Sequence, residues 1–492
     1  MASAPLTTIV IYGGGLAGYV CACALDRTLP GDIQLILIET DAAKATDIFF
    51  GTLTSPTTYD FLLDKAFTEP DLFLNTQTGV SLGTKFENWG PTRQNWIQSF
   101  YKPLPVLNGV EFQHYLTRFQ KTAQKKASLE DYIISTQAAK TGGFAHPPED
   151  RKTPLADMDY GYQFSPKDWL EYFSGKLSSK RVTRLQSDVT KVERSGETVT
   201  GLTLNNAQII KADFFIDASG PNSKLKSPSD TSWVGTREIC AAETHNIETG
   251  KRHPYRTVRA ADYGWQSETT LQNQVHRLTV YDPNSERAAL KAHGTPDHTP
   301  FKVQLGRTET PWIGNCLTFG HGAASLEPLT SAPMRLLERD IDRLIELIPV
   351  SKNMTVERRE YNRRFNDDYS HADLFQRAFF STSKTGAHPY WVAASSTPLT
   401  KRLQDKVEQF ESRGVLVQYD YEPFSREDWT LLHIGMGRLP RRYDPLADRV
   451  SLPGLTQKLE QMRHAIDVMA KKLPPHDVYM SRLIKYLEDQ NV

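Results

Sequence analysis

Apolar and polar positions alternate between two patterns along this chain, and the first change of pattern is near the start. A short β-branched run, Thr7 to Tyr12, predicts a strand that stops at Gly13-Gly14-Gly15. The small-residue segment from Gly18 through Leu25 predicts a helix. The unbroken apolar run Ile33 to Ile38, ending at Glu39, predicts a second, buried strand. Strand, glycine turn, helix, strand and acidic residue together make a βαβ unit. From about Tyr101 to Pro154 the chain is polar and punctuated, with Thr141-Gly142-Gly143 and His146-Pro147-Pro148, and reads as an irregular insertion or loop. Regular patterning resumes with a helix around Lys167 to Leu177, strands at Ser187 to Val192, Val199 to Leu204 and Ala212 to Ile216, and a β region from Trp265 to Tyr281. Beyond Pro349 the chain is charged, with helical spacing over Arg358 to Phe379, Pro398 to Ser412 and Leu455 to Lys472. The resulting division is a core over 1–350, carrying the insertion 101–154 and a β region 230–305, followed by a helical C-terminal cap over 351–492 packed on it.

Composition narrows the function classes. With 58 basic and 58 acidic side chains in 492 residues the formal charge is zero, so nothing favours nucleic acid or an anionic membrane surface as partner. The apolar run at the start is too short to span a bilayer, and no charged segment precedes an apolar one in the manner of a secretory signal. Four cysteines are few for this length; Cys21 and Cys23 fall in the first predicted helix, too close to bridge, and a reducing, cytoplasmic compartment is expected. No Cys/His group has metal-ligand spacing, so no metal is expected.

The glycine turn carries the first chemistry. Gly13 permits the tight turn, Gly15 lets backbone approach a pyrophosphate, and Gly18 lets the helix pack on the sheet. The free N–H groups of Leu16 and Ala17 open the helix and offer its positive dipole end to phosphate. Glu39, twenty-four residues past Gly15, is placed to accept a ribose hydroxyl. At this point NAD and FAD are equally compatible.

Later motifs separate the two. Phe215-Ile216-Asp217-Ala218-Ser219-Gly220 and Gly320-His321-Gly322-Ala323-Ala324 resemble segments by which flavin monooxygenases and halogenases approach the two halves of FAD. Pro311-Trp312-Ile313-Gly314-Asn315, Leu326-Glu327-Pro328-Leu329-Thr330-Ser331, Asp71-Leu72-Phe73-Leu74-Asn75-Thr76 with Phe86-Glu87-Asn88-Trp89-Gly90, and Pro440-Arg441-Arg442-Tyr443-Asp444-Pro445 occur in an order that resembles the flavin-dependent tryptophan halogenases over nearly the whole chain. The resemblance implies an α/β fold: an FAD-binding, Rossmann-like core of the GR2-type flavin monooxygenase/halogenase group, with a β-rich substrate face and a helical C-terminal cap. It implies FAD held by Gly13, Gly15, Leu16, Ala17, Gly18, Glu39, Asp217, Gly220, Gly320, His321 and Ala324. It also implies O2 as co-substrate, reduced flavin from a separate flavin reductase, and a small aromatic substrate. Halide is left open, and a homodimer is admitted.

The departures fall where that family does its chemistry. There, reduced flavin, oxygen and halide yield hypohalous acid, which reaches a Lys whose amine, beside a Glu, directs halogen to the ring. The catalytic Lys aligns with Ser81, the Glu with Thr330; Ser331 is kept, and Ala332 replaces a halide-contacting Thr. Of the family's Trp-x-Trp-x-Ile-Pro motif, which separates substrate from flavin, only Trp265 is present, and its Gly-Glu-Ala-Thr reads Gly51-Thr52-Leu53-Thr54. A hydroxyl is a poor nucleophile without a base to activate it. Lys85 would share a strand face with Ser81, but about 13 Å away. The candidate catalytic set is therefore Ser81, Thr330, Ser331 and Trp265. The expected activity is oxygen transfer from reduced FAD and O2 to an indole-like ring, a monooxygenase on a halogenase scaffold. A halogenase with a relocated amine and a non-catalytic flavin- or substrate-binding protein are the alternatives.

Overall fold

A computed structural model describes residues 5–90, 94–122, 127–150, 152–178, 180–228, 230–247, 252–295, 300–381, 388–396 and 400–490. Contacts divide the chain into two compact units that interleave along the sequence. The first comprises Met1–Thr76, Phe164–Ala242 and Tyr281–Ser370; the second comprises Gln77–Gln163, Glu243–Val280 and His371–Val492. Each unit draws on three separate stretches of the chain. Neither the start nor the end of the chain closes a core alone.

The first unit is built on a six-stranded sheet. Its strand order is Trp312–Ile313, Cys316–Thr318, Phe214–Asp217, β1 (Thr8–Tyr12), β2 (Gln34–Glu39) and Val182–Gln186. All neighbours are parallel except the outermost short pair at Trp312–Ile313. Ile9, Val10 and Ile11 are fully buried, as a parallel strand covered on both faces requires. One face packs Val10, Tyr12, Ile36, Ile38 and Phe215 against the meander Val189–Ser195, Thr198–Leu204 and Ile209–Ile210. α1 (Leu16–Thr28) packs on the helix Pro166–Lys176. The βαβ unit is thus where the sequence puts it, and the strands at Val189–Ser195, Thr198–Leu204 and Phe214–Asp217 lie within a few residues of expectation.

In the second unit the strands run in the order Gln274–Tyr281, Gly264–Thr270, Arg256–Ala261, Gly83–Trp89 and Gln94–Ser99. Its centre is aromatic. Phe86 stacks on Trp96 at 4.7 Å, Trp89 meets Trp391 edge-on at 5.1 Å, and the Trp89 indole N–H donates to the Phe379 carbonyl at 2.9 Å. The segment 101–154 is not the irregular insertion expected: it holds the helices Phe112–Thr122 and Ile134–Thr141. Phe112, Tyr115, Leu116 and Phe119 bury one face of the first helix against Leu431, Leu455 and Leu459. Helices cover Thr355–Ala378, Lys401–Arg413 and Leu452–Lys472; the Pro398 and Leu399 expected to begin the second lie outside the described residues. All four cysteines are unpaired and buried. Among the described residues no helix is long and apolar enough to cross a membrane.

Candidate functional site

The glycine turn is built for close approach. Gly13 sits at φ +150° and donates its N–H to the Ile38 carbonyl at 2.9 Å. A Cβ there would lie 2.3 Å from the Ala218 carbonyl oxygen, so only glycine lets β1 turn beside the end of Phe214–Asp217. The same contacts gather other sequence-predicted positions. A Cβ on Gly320 would sit 2.9 Å from that of Ala17, one on Gly18 would sit 2.3 Å from the Gly13 carbonyl oxygen, and one on Gly322 would sit 2.9 Å from that of Gly220. Gly13, Ala17, Gly18, Gly220 and Gly320, far apart in sequence, converge at the C-terminal ends of the parallel strands. This is where open α/β sheets bind ligands.

The first amide of α1 already holds an anion, and that anion comes from the chain. The Asp47 carboxylate Oδ2 accepts the Leu16 N–H at 2.9 Å, and a Cβ on Gly15 would lie 2.8 Å from Asp47 Oδ1 and 3.0 Å from the Ala43 carbonyl oxygen. The helical segment Asp41–Phe50 thus brings a carboxylate to the first amide of α1, the kind of anion acceptor a helix N-terminus favours. Glu39 is engaged as well: Arg184 Nε donates to its Oε1 at 2.5 Å, and Arg184 Nη2 reaches the Tyr19 hydroxyl at 3.0 Å. A helix N-terminus suits a phosphate, and here its first amide is held by the Asp47 carboxylate. Sequence reasoning missed both Asp47 and Arg184, because nothing local marks an acid eight residues past β2 as the helix cap.

Beside this turn lies a cleft of 980 Å³, lined among others by Tyr12, Thr46, Ser219, Asn222, Trp233 and Gly322, at the upper end of the size range for cofactor sites. Asp217, expected to contact the cofactor, turns its carboxylate into its own loop. It accepts the Ser219 N–H at 3.0 Å, the Ser219 hydroxyl at 2.6 Å, the Leu225 N–H at 2.7 Å and the Ser223 hydroxyl. Burial pushes its pKa up against the pull of those donors. Asp217 therefore shapes the loop that carries Gly220. His321 is buried against Phe50, ring centroids 4.0 Å apart, and burial pushes its pKa down to about 3, so the imidazole is neutral near pH 7. Ala324 pairs with Arg307 in the short strand that follows.

Gly51 and Pro328 touch, bringing 51–54 beside 327–331: a Gly51 Cβ would lie 3.3 Å from Pro328 Cβ. Glu327 forms a buried ion pair with Arg237. Thr330 Oγ1 accepts the Ala332 N–H at 3.2 Å, a bond at the start of the helix Ala332–Glu346; the Ser331 side chain makes no capping bond. The Thr330 hydroxyl is thus used locally. Further along that helix, Glu338 is buried and accepts the Thr58 hydroxyl at 2.7 Å; burial pushes its pKa up to about 8.

The remaining candidates belong to the second unit. Ser81 ends the strand Gly79–Ser81 and is fully buried. Its hydroxyl donates to the Gly83 carbonyl at 3.1 Å and accepts the Gly83 N–H at 3.2 Å, so it closes a turn and faces no activating base through these bonds. Lys85 does not share a strand with Ser81: Gly83, at φ +135°, starts the next strand, and Lys85 pairs with Glu87 at 2.7 Å. Trp265 is fully buried in Gly264–Thr270, paired in register with Ala260. Glu243, His245 and His276 bring three ligand atoms within 4.8 Å of one another, from two strands that sequence spacing does not connect.

The tryptophan halogenase family model matches residues 8–452. The chain is similar to the tryptophan 6-halogenase ThaL of Streptomyces albogriseolus, 22% identical over 94% of this chain and 93% of that protein. It is also similar to the tryptophan 7-halogenase KtzQ of Kutzneria sp., 21% identical over 97% and 98%. Among solved structures, the flavin-dependent halogenase BrvH from Brevundimonas sp. BAL3 superimposes with a TM-score of 0.88 at 23% identity, covering 97% of this chain and 99% of that one. With the turn, the strand-end convergence and a match across nine-tenths of its length, this chain belongs to the tryptophan halogenase family.

Proposed function

We propose that the chain is an FAD-dependent oxidoreductase that transfers oxygen, rather than halogen, to a small aromatic substrate. Reduced FAD delivered by a separate reductase, together with O2, supplies the oxidising power. The observation that carries the proposal is the state of the two relay positions. The Ser81 hydroxyl is tied to Gly83, and the Thr330 hydroxyl to the Ala332 amide. Neither offers an amine to carry halogen nor a carboxylate to take the ring proton.

What the chain contributes is placement. Gly13, Gly18 and Gly320 shape the wall for the dinucleotide, the α1 N-terminus supplies amides to its phosphates, and Glu39, held by Arg184, lies at the end of β2 for the ribose. His321 remains uncharged and seals the end of the cradle with Phe50. The experiment is direct: purified protein, FAD, a flavin reductase, NADH, bromide and a panel of indoles, with products read by mass. Oxygenated indole supports the proposal, and robust bromo-indole overturns it. A flavin-free protein has one observation in its favour, the Asp47 carboxylate at the α1 amide. Titration of the purified protein with FAD separates that reading from the first, since it predicts no saturable binding.

A further inference from the structure

Glu243 and His245 stand two residues apart on the strand Trp233–Ile247, and alternation along a strand puts them on one face. His276 lies on the strand Gln274–Tyr281. His276 Nε2 is 2.7 Å, and His245 Nε2 is 3.6 Å, from the same oxygen, Glu243 Oε2, and the imidazole rings are 4.5 Å apart, centre to centre. His276 is fully buried, whereas the side chains of Glu243 and His245 keep about a quarter of their surface in solvent. The group is closed on one side and open on the other.

We propose that Glu243, His245 and His276 form a binding site for a divalent first-row transition ion, with zinc the representative, leaving one coordination position for water. Two neutral imidazoles and one carboxylate carry a single negative charge and are a donor set that such ions take. Ligand atoms bound at about 2.0–2.2 Å in a tetrahedron lie roughly 3.3 Å apart. The three atoms, all within 4.8 Å of one another, need only small rotations about side-chain torsions to reach that spacing. The buried His276 fixes the inner position, and the exposed edge of His245 gives the ion its path in. Three donor atoms within 4.8 Å of one another, one buried and two reaching solvent, are a set that an ion can close. The site is independent of flavin chemistry and of the glycine turn.

The test uses the full chain, stripped with a chelator and dialysed. Titration with Zn2+ by calorimetry and with Co2+ by visible absorption should give one equivalent per chain, with the intense ligand-field bands of a four-coordinate cobalt site. Zinc should raise the Tm. His245→Ala, at an exposed position that leaves the core intact, should weaken binding by at least about tenfold and remove the zinc-dependent Tm shift, while circular dichroism stays unchanged. Glu243→Gln, which keeps a hydrogen-bonding side chain of the same size, should do likewise. Failure of the wild-type chain to bind stoichiometric metal overturns the proposal. So does unchanged affinity in both variants, which would place the ion elsewhere among the chain's 13 histidines.

Discussion

Asp47 makes a quantitative claim about flavin affinity. If its carboxylate holds the α1 amide that a pyrophosphate needs, FAD binding must displace it, and the observed affinity is lowered by whatever the displaced contact contributes. That contact is a charged acceptor on a helix-opening N–H at 2.9 Å, with Asp47 only 7% exposed. Side-chain acceptors at helix starts contribute about 0.5–2 kcal/mol, and the charge–dipole part of this is about 0.3–1 kcal/mol. At about 1.4 kcal/mol per decade, 1 kcal/mol is roughly a fivefold effect. Asp47→Ala should therefore tighten FAD binding about fivefold, and Asp47→Asn, which keeps an acceptor and loses the charge, about twofold to fivefold. Asp47→Ala should also destabilise the flavin-free protein by about 1 kcal/mol, because α1 then opens on an unsatisfied amide. Quenching of flavin fluorescence on titration measures the first, and urea unfolding without flavin the second. A folded Asp47→Ala variant that binds FAD more weakly, or equally well, would refute the reasoning, since the carboxylate would then be a ligand of the cofactor or irrelevant to it.

Other expectations are as concrete. Gly15→Val should abolish flavin binding, because its side chain enters space where a Cβ already meets Asp47 and Ala43 at 2.8 and 3.0 Å; retained FAD affinity in a folded variant contradicts this. Glu338, raised from 4.5 to about 8 by burial, binds a proton in the folded state that the unfolded chain has lost. Its contribution is intact below pH 4.5 and is lost as pH rises to 8, by an amount on the order of 4 kcal/mol at most. The stability advantage of Glu338→Gln over the parent should thus grow between pH 5 and 8 in denaturant titrations, and a pH-independent difference would show that Glu338 titrates normally. Ser81→Lys with Thr330→Glu should recover no more than traces of halogenated tryptophan, because a lysine at the buried turn of Ser81 must first break the Gly83 contacts; robust product by mass spectrometry would count against it. A chain ended at Val350 should fail to give a folded soluble protein, since Trp89 loses both Phe379 and Trp391; well-dispersed amide resonances from that fragment would contradict it.

The first βαβ unit was legible because all its signals are local: an apolar run, a glycine turn and an acid at the end of β2 fall within forty residues. The helix Phe112–Thr122 was not. Its apolar face is complete only against Leu431, Leu455 and Leu459, and its flanking prolines and glycines read as loop. The glycines of the site were identified one by one, but their convergence depends on parallel strand order, which brings Phe214–Asp217 between β1 and Cys316–Thr318. Asp217 shows what a motif leaves out. A motif supplied a carboxylate at the right place, and the loop after it consumed that carboxylate with four donors. The Glu243, His245 and His276 group escaped notice because its third member arrives from another strand, where spacing along the chain carries no information.

Interleaving sets a constraint on how the protein is made. The first unit takes residues up to Ser370, and the second also needs the stretch after it. On a ribosome adding about 5–20 residues per second, β1 and β2 emerge and then wait roughly 15–60 s for Cys316–Thr318 and the helix Ala332–Glu346. Until Val182–Gln186 and Phe214–Asp217 emerge, the apolar strands Ile9–Ile11 and Leu35–Ile38 have exposed edges, and after that the sheet still lacks its Cys316–Thr318 edge. Neither unit is complete before residue 370 has been made, so unit-by-unit folding starts late in synthesis. Yield in a heterologous host should therefore depend on chaperone supply and on translation rate through the first 370 residues more than on the stability of the finished molecule.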